Sequence, residues 1–232
     1  MFSSAGFAKT WQYIDLFRQG LVCTISLSLF TVIFGFVLAL MLALMRLSRF
    51  KVLKTVAAAY VELFRATPML VQLFVVYYVL LGGLNLPAVK LFGFIRFERF
   101  LPGVVALSMN SGAYLSEIIR AGIQSIDAGQ TEASRSLGMS AFQTMKYIVL
   151  PQAVKNILPA IANEFVTIIK ESSICYTIGV QEIMYAVNAT KGATYRVAEP
   201  LVIAAAVYFC LTYPTSKIIA RFERKMGNGY KR

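Results

Sequence analysis

Little in this chain suits covalent chemistry. It has no histidine, which removes imidazole both as a general base and as a metal ligand. Cys23, Cys175 and Cys210 each sit in an apolar run, far apart in sequence. They read as small buried hydrophobes, not as a disulfide set or a metal site. No G-x-x-x-x-G-K-[ST] phosphate loop is present, so any ATP that is used must be bound by another chain. What remains is non-covalent recognition. Arg65, Gln72, Asn110, Tyr114, Glu164 and Thr167 are polar groups set into largely apolar stretches. Such groups are costly in hydrocarbon, so they must face protein, water or an interface. There they can hold a polar solute by hydrogen bonds and charge. The competing reading is that they only satisfy one another between helices, at about 0.6 to 2 kcal/mol per bond. The expectation is no catalytic residue, no metal site and no cofactor within this chain.

A second stretch with chemical character spans 132–151, EASRSLGMSAFQTMKYIVLP. It is polar, short, and lies between two long apolar segments. It reads as two short helices around a tight turn at Gly138, where a glycine supplies the backbone freedom. Glu132, Ser134 and Arg135 can cap or solvate the first helix. Phe142, Met145, Ile148 and Val149 recur at helical spacing in the second. Pro151 is expected to end the segment and open the next helix. Such a hairpin has a reason to lie outside a bilayer if something docks on it; the bland reading is an ordinary connector.

The elements that position these groups must be membrane helices. The 232 residues are 58% hydrophobic, with a mean hydropathy of +0.66, which excludes an ordinary soluble domain. The net charge of +12 does not point to nucleic acid, because Lys and Arg gather in the loops between apolar segments. Residues 20–45 carry no charge and are long enough for a core of about 30 Å. No cleavable signal peptide is expected, since this run is too long for a signal core. Further spans are expected at 56–81, kinked at Pro68, and at 102–126, 151–184 and 200–216. A bend is expected near Gly179. Residues 7–18 suit a helix in the membrane interface, with Trp11 and Tyr13 at headgroup depth; a soluble leader is the alternative. Twelve Lys and Arg fall in 46–54, 127–151 and 217–232, against seven in 1–19, 82–100 and 187–199. The bias places the first set in the cytoplasm, N-terminus out and C-terminus in. The expected fold is therefore an all-α polytopic membrane protein of about five spans. Its parts are an interfacial segment 1–19, a transmembrane domain 20–217 and a basic cytoplasmic tail 218–232.

The 132–151 stretch resembles the EAA loop of ABC-importer permeases: Glu-Ala-Ala, three residues, Gly, nine residues, Ile, one residue, Leu-Pro. Ser134 stands at the second alanine, a small-for-small departure. FRATPMLVQLF (64–74), ALSMNSGAYLSEIIRAGIQSI (106–126), LPAIANEFVTIIKESSI (158–174) and IGVQEI (178–183) resemble the polar amino-acid branch of that family. KESS replaces the frequent Lys-Asp-Thr-Ser. The likeness runs from about residue 18 to 218.

The resemblance implies a type I importer permease fold with a cytoplasmic coupling helix, in a bacterial plasma membrane. It also implies a partner set: a second permease, identical or paralogous, two separate ATPases that bind ATP and Mg, and an extracytoplasmic amino-acid-binding protein. Coupling then falls to Glu132, Ala133, Gly138, Met139 and Ser140, although Glu132 could only cap its own helix. The pathway falls to Arg65, Gln72, Asn110, Tyr114, Glu164 and Thr167. Glu164 would suit an ammonium or a cationic side chain, and Arg65 a carboxylate. Glu62 with Arg65, and Glu117 with Arg120, are spaced as intrahelical pairs. The alternative class is an ion-coupled secondary transporter, but no internal repeat is visible. An intramembrane enzyme lacks a nucleophile or metal constellation.

Overall fold

The computed structural model describes residues 3–227, with side chains through Arg224. Short α1 (Ser4–Trp11) leads into α2 (Ile14–Leu47), which runs unbroken past residue 19. Leu29, Phe30, Ile33, Phe34, Val37, Met41 and Leu44 recur every three or four residues along α2 and stay exposed. The opposite face is narrow: Cys23, Thr24, Leu27, Ser28, Thr31, Gly35 and Ala39 are buried. It lies against α5 (Phe97–Gln124), which also presents small residues such as Ala106, Ser111 and Ala113. In lipid, where apolar contact with tails costs nothing, close van der Waals approach of small residues holds such a pair together.

Between them the chain turns back. The expected span 56–81 is not one rod. α3 (Lys51–Ala66) and α4 (Met69–Phe74), the latter prolonged by a π-helical stretch Val75–Leu80, meet at 110°. Thr67, held extended at ψ 146°, shows the restriction that a following proline imposes. A two-residue hairpin, β1 (Lys90–Leu91) and β2 (Ile95–Arg96), pairs Leu91 with Ile95 where only loop was expected.

After α5 come α6 (Ala128–Ser136) and α7 (Ala141–Thr144). Helix then continues through a π turn at Met145–Val149 into α8 (Leu150–Glu171). Pro151 stands in the first turn of α8 and so opens that helix as expected, although helix reaches it without a break. Its missing N–H and bulky ring are directed at the carbonyl four residues back, Tyr147, and that carbonyl lies in the widened turn, which absorbs the conflict.

The fourth expected span also divides. α8 tightens into a 3₁₀ turn, Ser172–Ile178, and Gly179 at φ +81° reverses the chain into α9 (Ile183–Thr194). Helix thus covers 187–194 of the stretch 187–199 that was expected only to lie outside. α10 (Ala198–Gly227) runs on past residue 217, so the start of the tail is helical; 228–232 lie outside the described residues.

Contacts fix the directions. Arg46 reaches Glu117 and Gly35 lies beside Ser108, so α2 and α5 are parallel. Asn156 bonds Ser125, and Cys175 lies beside Gly103, so α8 is antiparallel to α5. One core joins α2, α4, α5 and the 3₁₀ turn through Leu27, Leu73, Val104, Leu107 and Cys175; another joins α2, α5 and α8 through Ala43, Leu115 and Ile157. Phe17 packs with Ile183, Val187 and Ala204, so part of the expected interfacial segment is protein core, while Phe7 and Trp11 stay exposed. By length and hydropathy, two helices (α2 and α10) can cross a bilayer, or three if the bent α3–α4 pair is one span. The expected count of about five is not reached on that criterion. In α5 the reason is visible: Ser108, Asn110, Ser111 and Ser116 lower its hydropathy, yet all are buried against protein.

Candidate functional site

The residues singled out in the sequence fall mainly into two arrangements, one at the C-terminal end of α5 and one along its length. The first is the α6–α7 hairpin. Asp127, not Glu132 or Ser134, caps α6, its carboxylate accepting from Gly129 N at 2.8 Å. Gly138 adopts φ +84°, the left-handed region open to glycine. Ser140 then starts α7 with a capping box: its Oγ accepts from Gln143 N at 3.2 Å, and Gln143 Oε1 accepts from Ser140 N at 2.7 Å. Ser134 is buried and bonds Thr144 Oγ1 at 3.0 Å, tying the two helices together. The apolar residues at the turn are left out of any core: Leu137 is 85% and Phe142 72% exposed. Lys146 Nζ lies over the Phe142 and Tyr147 rings at 5.9 and 5.2 Å. Glu132, Ala133 and Ser140 are exposed around this surface, and Met139 is half-buried. The hairpin is tied together by its own side-chain bonds, and its outer surface is polar except for Leu137 and Phe142 around the turn.

The second arrangement is polar. Gln72, 7% exposed, donates through Nε2 to the Phe64 carbonyl (2.7 Å), the Thr67 carbonyl (3.0 Å) and Thr67 Oγ1 (2.8 Å). Its Oε1 accepts from Asn110 Nδ2 at 2.8 Å. Gln72 therefore satisfies carbonyls that the end of α3 leaves open and pins the 110° bend to α5. The Arg65 guanidinium stands 5.6 Å from the centre of the Tyr114 ring, one turn along α5 from Asn110. Glu62 makes no ion pair with it among the described residues, so that expected pair is not formed.

These four residues form one cluster. Glu164 and Thr167 do not join it. Glu164 is half-buried beside Ser111, on another face of α5, and Thr167 Oγ1 bonds the Asn163 carbonyl of its own helix at 3.3 Å.

The family described as binding-protein-dependent transport system inner membrane component matches residues 21–228. The chain belongs to it. Among the relatives of this permease component is the arginine transport system permease protein ArtQ of Bacillus subtilis, 41% identical over 220 residues, covering 95% of this chain and 96% of that one. The putative glutamine transport system permease protein GlnP of Rickettsia conorii is 39% identical, covering 94% and 96%. A solved amino acid ABC transporter with histidines superposes with a TM-score of 0.87 at 42% identity, covering 97% of this chain and all of that one. Proteins of this kind are transport components and not enzymes.

The permease also holds polar contacts, most of which sequence reading passed over. Glu117 bonds Arg120 as its spacing predicts, and Arg46 as well, joining the ends of α2 and α5. Glu182, wholly buried, caps α9 at Tyr185 N (2.8 Å) and accepts from Tyr208 Oη (2.7 Å). Arg196 links Glu199 (2.8 Å) to Ser3 Oγ (3.0 Å), seating α1 on α10. The partners Arg46 of Glu117, Tyr208 of Glu182 and Ser3 of Arg196 lie too far along the chain for spacing to reveal them.

Proposed function

We propose that this chain is the transmembrane permease subunit of an ATP-binding-cassette importer for polar or charged amino acids, working in a bacterial plasma membrane. The observation that carries the reading is the α6–α7 hairpin, internally bonded and apolar on its exposed turn. It presents Glu132, Ala133, Gly138, Met139 and Ser140 to an ATPase on which ATP and Mg are bound. The arginine and glutamine names of the relatives support the solute class.

The chain crosses the bilayer five times, through α2, α3–α4, α5, α8 and α10. The alternating helix directions and the basic residues at 46–54 support an outer N-terminus and an inner C-terminus. Two such permeases, identical or paralogous, pair with two ATPases and receive solute from an extracytoplasmic binding protein. Closure of the ATPases pulls on both hairpins, and the pair rocks between inward and outward openings. Arg65 and Tyr114 line the pathway, with Gln72 and Asn110 shaping its wall. Glu164 and Thr167 contribute from α8, Glu164 toward an ammonium or a cationic side chain.

The test is ATPase activity in vesicles holding this chain, its ATPase and its binding protein, with amino acids added singly. We expect stimulation by one amino acid, dependent on the binding protein and lost in Glu132→Ala. A correctly assembled complex that no amino acid stimulates would exclude the solute class; failure to assemble with any ATPase would exclude the importer.

A further inference from the structure

A cavity at the opposite end of α5, about one helix length or 42 Å from the hairpin, has the make-up of a binding site. It is an open cleft of about 380 Å³ between the π-helical stretch, the loop that follows it and the first turn of α5. Its walls include Tyr77, Tyr78, Leu81, Asn85, Glu98 and Pro102. Neighbouring residues on a helix normally diverge. Here the π turn, closed by Leu81 N on the Val76 carbonyl at 2.9 Å, lets both tyrosines line one cavity. Their rings meet edge to face, 4.8 Å between centres at 75°. π turns gather at functional positions. Leu84 N and Leu86 N bond the Leu81 and Leu84 carbonyls at 3.0 and 2.9 Å, which folds the loop back and brings Asn85 to the cavity.

The polar groups around this cavity are uncommitted. Among the described residues, no ion pair or side-chain hydrogen bond engages Glu98, Asn85 or the hydroxyls of Tyr77 and Tyr78. Glu98 is half-buried, yet neither neighbouring arginine neutralises it: Arg96 is exposed, and Arg99 donates to the Gly179 carbonyl at 3.5 Å. Placement in the first turn of α5 favours a carboxylate through the helix dipole. That accounts for an acid at this position, but not for two aromatic rings and an amide gathered around it.

We infer that this cavity binds a small organic cation, a guanidinium or primary ammonium, with Glu98 as counter-charge, the Tyr77 and Tyr78 rings as π faces and Asn85 as a hydrogen-bonding partner. The inference stands apart from the coupling role of the hairpin, and its failure leaves that role untouched.

The test uses the full chain in phosphatidylglycerol nanodiscs, carrying Leu84→Cys as a reporter on the cavity wall and Cys210→Ser to remove the exposed native thiol. The rate of maleimide labelling is measured with methylguanidinium or its neutral isostere N-methylurea. We expect methylguanidinium to slow labelling about threefold or more while N-methylurea has no effect. Glu98→Gln should raise the concentration needed by about fivefold. Equal protection by the urea, or protection unchanged in Glu98→Gln, overturns the inference. If Glu98→Gln does not elute as a monodisperse species, Tyr78→Leu, at a residue 63% exposed, is held to the same criterion.

Discussion

Gln72 and Asn110 make the sharpest prediction, because their sequence positions suit solute binding while their atoms are already engaged. Asn110 donates to Gln72 at 2.8 Å, Gln72 donates to the end of α3, and the two residues are 7% and 5% exposed. Consider Gln72→Met and Asn110→Leu, near-isosteric changes that delete only the polar atoms. Gln72→Met leaves the Phe64 carbonyl and the Asn110 amide without partners. A buried group so abandoned costs about 1 to 3 kcal/mol, and bonds between membrane helices average about 0.6. A loss of about 2 to 3 kcal/mol follows. Asn110→Leu breaks one bond and strands one oxygen, a loss of about 1 to 2 kcal/mol. In the double variant no amide is stranded by its partner. The two losses should therefore fall short of additive by about 1 kcal/mol. The assay is SDS titration of the helical signal for all four proteins of the cycle, alongside transport in vesicles. Strict additivity, within about 0.3 kcal/mol, would refute the brace. Unchanged stability with lost transport would mean that these amides serve solute and not the bend.

Two further substitutions probe the coupling end. Gly138→Val puts a β-branched residue at φ +84°, at a cost of about 1 to 3 kcal/mol. The complex should assemble but lose amino-acid stimulation of ATP hydrolysis, and Gly138→Asn should retain most of it; a fully stimulated valine variant would show that the turn does not transmit force. Glu117→Gln should weaken the joint between α2 and α5 by about 1 to 2 kcal/mol, since the pair with Arg46 is about four-fifths buried. Thermal unfolding in detergent checks this, and the exchange Arg46→Glu with Glu117→Arg should recover part of the loss.

Local rules carried most of what the sequence disclosed. Residues 20–45 had to be a membrane helix because an uncharged run of that length has no other stable place, and the structure makes it the core of α2. Gly138 announced a turn and Pro68 a break, because each restricts or frees its own backbone dihedrals whatever surrounds it. The residue pattern of 132–151 was enough to suggest the family, and the match over 21–228 agrees.

What needed the tertiary structure was every partner distant in sequence. Arg46 meets Glu117 across 71 positions, Gln72 meets Asn110 across 38, and Tyr208 meets Glu182 across 26. No spacing rule reaches that far. Local dihedral preferences determine where a helix begins and bends, but which faces meet is set by how small residues let backbones approach. That packing decided that Gln72 and Asn110 bond each other at the bend, that Glu164 turns to a different face of α5, and that Leu137 and Phe142 remain outside every core.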